Sequence, residues 1–120
     1  MLLPLEFTNN HAAQTLDAAT PLELCGATGV LIGHGDMVSF TLTNPGANPI
    51  TALAAYWSDD PTLTDWSPAD GGISIPGGSL AAGATMRVER AVSAIAMRVI
   101  ATSADGSSCK LHVSLARGAG

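Results

Sequence analysis

The segment from Asp36 to Trp57, DMVSFTLTNPGANPITALAAYW, constrains the fold of this chain more than any other stretch. Val38, Phe40 and Leu42 alternate with Ser39, Thr41 and Thr43. That is the period of two that turns one side of a strand to a core and the other to water, and it does not fit a helix. Asn44-Pro45-Gly46 ends the run, because proline offers no ladder donor and glycine accepts the backbone angles of a turn. A short polar link and a second apolar strand through Tyr56 and Trp57 follow. The expectation is a pair of strands that the rest of the chain covers with more strands.

A chain of 120 residues makes one domain with one core. Hydrophobic residues are 47% of it and charged residues only 12%, so alanine, serine and threonine must cover much of the surface in place of lysine and glutamate. Such a surface is poorly protected against association and suits a protein that packs against other copies or partners. The net charge of −5 argues against binding a phosphate backbone, so no nucleic-acid partner is expected. No apolar run approaches the roughly 18 to 20 residues that cross a bilayer, and no membrane partner is expected either. MLLPLEF lacks a basic start and is broken by Pro4 and Glu6, so it reads as a poor signal peptide and the chain as made in the cytoplasm. Cys25 and Cys109 are too few for a disulfide framework. Both are expected to be reduced, with a bridge as the alternative.

Residues 2–8 fit an extended arm or an edge strand, since Pro4 is tolerated only at an edge. Thr15–Ala18, Leu22–Cys25 and Val30–Ile32 read as short strands. Residues 58–72, SDDPTLTDWSPADGG, form a long surface loop pinned by Trp66 folding back on the core. Ile73–Ile75 is a brief strand, and Leu80–Gly83 a turn. Residues 84–102 fit two patterns. A helical stripe through Val88, Val92, Ile95 and Val99 competes with alternation around Met86 and Val88 and around Ile95, Met97 and Val99. Gly83 and the β-branched residues favour two strands with a turn near residues 90–93. Asp105-Gly106 marks a hairpin turn, and Cys109, Leu111, Val113 and Leu115 point inward against Lys110, His112 and Ser114. Short strands with frequent turn signals point to an all-β chain: a single-domain antiparallel β-sandwich, jelly-roll-like.

The chemistry-bearing residues are scattered. Asp59, Asp60, Asp65 and Asp70 crowd the long loop without the spacing of a calcium loop, so a solvated acidic loop is the plainer reading. Tyr56, Trp57 and Trp66 lie near Asp59 and Asp60, a combination that can stack a sugar ring and bind its hydroxyls; core packing is the competing explanation. His11, His34 and His112 belong to no metal or catalytic motif. A small hydrolase would rest on His34 or Asp36, with no strained nucleophile elbow present, and a glycoside hydrolase on carboxylates from Glu6, Glu23 and Glu89 or the loop aspartates. No enzyme activity, metal or cofactor is expected. Arg87 and Arg98 should lie on the outward faces of neighbouring strands. There they can pair with acids on another subunit, or simply keep the face soluble and block edge pairing.

The order FTLTNPGANPIT, AAYWSDDPTLTDW, LAAGA, MRVER and AMRVIATSADG, closed by an alternating strand, resembles the small β-sandwich virion proteins of tailed bacteriophages. These are head decoration or cement proteins and related tail or fibre modules. The resemblance covers residues 36–116 and is one of pattern, without a diagnostic motif. It implies a virion structural protein, made in the host cytoplasm, that binds an assembled shell and stabilises it by mass action. Its implied partners are the major capsid protein or other virion subunits, and copies of itself as a homo-oligomer such as a trimer. The chain is expected to divide into an extended N-terminal arm (residues 1–12), a β-sandwich (13–117) and a flexible tail (118–120). In the arm, Leu2, Leu3, Leu5 and Phe7 would meet the neighbour, joined by Arg87 and Arg98 on the body. The alternative is a carbohydrate- or receptor-binding module using Tyr56, Trp57, Trp66, Asp59 and Asp60.

Overall fold

A computed structural model describes residues 2–10, 12–25, 29–31, 37–68, 75–90 and 94–118. The central alternation is realised as a strand, Met37–Thr43, in which Val38, Phe40 and Leu42 are buried and the residues between them half-buried. Among the described residues there are ten strands: β1 (Leu2–Asn10), β2 (Gln14–Leu16), β3 (Leu22–Glu23), β4 (Val30–Leu31), β5 (Met37–Thr43), β6 (Ala52–Ser58), β7 (Ser67–Pro68), β8 (Thr85–Arg90), β9 (Ala96–Thr102) and β10 (Ser107–Gly118).

They form two five-stranded sheets. The first has the order β1-β10-β5-β8 with β2 also on β10; the second runs β3-β9-β6-β7 with β4 also on β9. All the strand pairings are antiparallel. β1 and β2 follow one another along β10, and β3 and β4 both lie along β9, so the ten segments act as eight strands. Successive strands then change sheet every time except between β6 and β7. This is the connectivity of a jelly roll.

Between the sheets, Phe40, Leu42, Cys109, Leu111 and Val113 meet Met97, Val99 and Ala101 in one core. Burying each large apolar side chain contributes about 1.5–3 kcal/mol, which the entropy of ordering the chain largely offsets. The residues between them face outward. On the first sheet these are Ser39, Thr41, Thr43, Thr85, Arg87, Glu89, Lys110, His112 and Ser114; on the second, Ala52, Ala54, Tyr56, Arg98, Ile100 and Thr102.

Several local expectations hold with different partners. β5 and β6 do not pair with each other: the Asn-Pro-Gly turn carries the chain across to the opposite sheet, where β6 lies against β9. Asp105-Gly106 likewise makes a turn, with Gly106 at φ 86°, but β9 and β10 are in different sheets and form no hairpin. Residues 84–102 hold two strands and not a helix, again one in each sheet. Arg87 and Arg98 therefore lie on opposite sheets, not on neighbouring strands. At the N-terminus, β1 runs along β10 of its own chain as an edge strand, with a register shift between Leu3 and Phe7, and is not detached as an arm. That shift brackets Pro4, which cannot donate to the ladder. His11, His34, Asp36, Asp70 and the Ile73–Ser74 part of the expected strand fall outside the described residues.

Cys25 and Cys109 are free thiols. Burial pushes the Cys109 thiol up to about 12, and burial also raises that of Cys25, where a hydrogen bond with the Val99 backbone acts the other way. A raised thiol pKa stabilises the fold below the unfolded value of 9.0 and loses that contribution as pH climbs towards about 12. Chemical denaturation is expected to show stability falling from pH 9 upward, by at most about 1.4 kcal/mol per pH unit for this one proton. Cys109→Val should flatten that slope; an unchanged slope assigns it to other groups.

Candidate binding face

Tyr56 on β6 and Arg98 on β9 stand directly opposite in the strand register, both on the outer side of the second sheet. The Arg98 guanidinium carbon lies 5.3 Å from the centre of the Tyr56 ring and 4.7 Å from that of Trp66. Arg98 Nη1 donates to Glu23 Oε1 at 3.0 Å, and Glu23 is paired with Ile100 across β3 and β9. The Arg98 side chain is 19% exposed, and its buried Nε has no hydrogen-bond partner among the described residues. A guanidinium suits this place because it is planar and weakly hydrated, so it stacks on aromatic faces where an ammonium would keep its water.

Trp66 is delivered by the loop between β6 and β7. Ser58, almost fully buried, donates from its hydroxyl to the Asp65 carbonyl at 2.7 Å and accepts from the Asp60 amide at 3.1 Å. The Asp60 carboxylate accepts from the amides of Thr62, Thr64 and Asp65 at 2.9, 3.1 and 3.1 Å, and from both threonine hydroxyls. These bonds, the Thr62 amide first, hold its carboxyl well below the usual carboxylate range. Leu63 takes a positive φ of 56°, a conformation costly for a branched side chain, and its carbonyl accepts the Trp66 indole N–H at 3.0 Å. The ring tip also rests on Gly29. A Cβ there would come within 2.9 Å of Trp66 and 2.4 Å of the Met97 carbonyl, at φ +70°.

Beside the stack a groove of 350 Å³ opens over Pro21, Ala52, Ala54, Tyr56, Ile100 and Thr102. Leu31, opposite Ala96 on β4, is 61% exposed. The outer surface of the second sheet is thus apolar and aromatic around one neutralised ion pair. That of the first is threonine, serine and charge: Thr43 and Thr85 share a hydroxyl hydrogen bond at 3.1 Å, and Arg87 pairs with Glu89 at 2.8 Å in the open.

The sequence-predicted residues are therefore divided. Tyr56, Trp66 and Arg98 come together, whereas Trp57 points from β6 to the inner side and packs against the core. Asp60 spends its oxygens on its own loop. Asp59 is exposed, and Arg87 is on the other sheet. Leu2, Leu3, Leu5 and Phe7 lie on β1, with Leu3 opposite Arg117 and Phe7 opposite Leu115. Glu23, Pro21, Ala54 and Ile100 were missed. The outward parity of residues 96–102 was the signal for Ile100; Pro21, Glu23 and Ala54 join it only once β3, β6 and β9 are known to be neighbours. No group of three or more His, Cys, Asp or Glu is placed to hold a metal among the described residues.

Arg98→Ala is expected to lower stability by about 2 kcal/mol, since it removes two partly desolvated cation–π contacts and leaves Glu23 half-buried without its partner. Tryptophan emission should shift to the red as Trp66 becomes wetter. Arg98→Lys should recover less than half of the loss; full recovery means that stacking contributes little.

No protein-family model matches the sequence, and no curated protein matches it. Among solved structures, the chain is similar to PirA, with a TM-score of 0.54, 11% identity, and coverage of 88% of this chain and 92% of that one. It also resembles a subunit of the disulfide-linked pili that form Bacillus endospore appendages (TM-score 0.42, 10% identity, 94% and 89% covered). A further likeness is to a chain of infectious bursal disease virus, Gx strain (TM-score 0.46, 11% identity), of which the match spans 32% against 97% of this chain. At these identities the likeness to PirA is one of fold.

Proposed function

We propose that this chain is a non-enzymatic structural subunit of an assembled particle, of the virion class, which acts as a decoration or cement protein by burying surface on neighbouring subunits. The observation that carries the proposal is the outer face of the second sheet. There Tyr56, Ile100, the 350 Å³ groove and the exposed Leu31 leave apolar surface open to water in a chain with only 12% charged residues. Jelly rolls host capsid domains as well as lectin domains, so the architecture agrees with this reading without selecting it. A sugar-binding module is less well supported, because Trp57 packs inward, Asp60 is occupied by its loop, and Arg98 takes one face each of Tyr56 and Trp66.

The test is fractionation of particles from the cells that produce the chain. The chain should sediment with the particles in many copies. Leu31→Glu, at an exposed outward position, should fold normally and drop out of that fraction. A wild-type chain that never sediments with particles overturns the proposal.

A further inference from the structure

We propose that two copies of this chain join edge to edge through β8, running antiparallel about a two-fold axis at Val88, so that the first sheets of both copies become one continuous sheet. The inference deepens the assembly reading above, on which it rests, by naming the contact that joins copies. Sheet edges are open rows of donors and acceptors, and proteins usually blunt them with proline, bulges, short strands or inward charges. The other edges here are blunted in this way. β7 has two residues and ends in Pro68, β3 and β4 have two each, and β1 carries Pro4 within its register shift.

β8 is different. It pairs with β5 over six residues in unbroken register, contains no proline, and has no strand on its far side among the described residues. Met86 and Val88 point to the core at 7% and 9% exposure, while Arg87 and Glu89 point outward.

The charge pattern selects the register. In an antiparallel pair, residues directly opposite share a face, and their side chains interact. With Val88 opposite Val88 of the second copy, Arg87 stands across from Glu89 of the second copy and Glu89 from its Arg87. Two ion pairs form on the outer face, and the two valines meet on the inner one. Shifting the axis to Arg87 or to Glu89 puts like charges opposite each other. A shift of one residue in the pairing sets outward side chains against inward ones. The contact is isologous and closes on itself. The short exposed Arg87–Glu89 pair within one copy is what the two side chains do when no second copy is present.

The experiment is sedimentation equilibrium on the purified chain and its charge variants, with circular dichroism to confirm that each is folded. The wild type should be a dimer. Arg87→Glu and Glu89→Arg should each weaken the dimer by about tenfold or more, because each sets like charges opposite at two places. Mixing the two single variants should restore a mixed dimer, as should the double exchange Arg87→Glu/Glu89→Arg in one chain. A wild type that stays monomeric up to about 1 mM overturns the inference, and so does a dimer indifferent to both single exchanges. The two proposals fail separately: a monomer that still sediments with particles sinks this contact alone, whereas a charge-selected dimer that never sediments with them sinks only the particle role.

Discussion

Asn44→Ala is expected to lower the unfolding free energy by about 3–5 kcal/mol, a large fraction of the stability of a small domain. Asn44 is fully buried at the point where β5 ends. Its Nδ2 donates to the carbonyls of Asn48 and Leu80 at 2.8 and 2.9 Å. Its Oδ1 accepts from the Gly46 amide at 3.0 Å and the Ser107 hydroxyl at 2.9 Å. Its own amide donates to the Ala84 carbonyl, and its carbonyl accepts from Gly83. One side chain thus ties together the turn that follows β5, the segment that precedes β8 and the first residue of β10. Truncation leaves several buried groups without partners, and each costs desolvation energy that no apolar contact replaces. Asn44→Asp should be about as damaging at neutral pH, since a carboxylate faces two carbonyls with no donor to offer. Urea titration with linear extrapolation measures the effect. A loss below about 1 kcal/mol for Asn44→Ala would mean that water replaces the amide at this end of the sandwich.

Gly46→Ala is expected to cost about 3 kcal/mol through steric exclusion at the same place. A Cβ on Gly46 would lie 2.1 Å from the Ser107 hydroxyl and 2.5 Å from the Ser108 backbone nitrogen. The hydroxyl can rotate away only by leaving Asn44. The nitrogen belongs to β10, whose next residues pair with β2 and β5, so it has little room to move. The two substitutions should be strongly non-additive, because each breaks the Ser107–Asn44 hydrogen bond. A double variant whose loss equals the sum of the single ones would show that Gly46 and Asn44 act independently.

Much of the molecule was legible in its residues. Alternation in Val38–Thr43 and Cys109–Ser114 specified strands and the side of each that faces the core, because a period of two is a local property of extended backbone. Asn44-Pro45-Gly46 and Asp105-Gly106 located turns, because their allowed backbone angles are local too. The sandwich class followed from such strands, since each has one apolar side that only another sheet can cover. The aromatic face of the second sheet was less legible. Tyr56, Trp66 and Arg98 were each noticed, but their meeting depended on β6 and β9 being neighbours and on the loop held by Asp60 and Ser58.

What the sequence by itself determined, then, was which residues extend, which turn and which side of each strand is buried. Only the tertiary structure decided which strands are neighbours. The turn that closes a hairpin and the turn that carries a chain from one sheet to the other use the same residues, so the choice between them rests on what the finished core can bury. That choice put β5 and β6 in opposite layers, separated Arg87 from Arg98, and gave Arg98 its two aromatic neighbours.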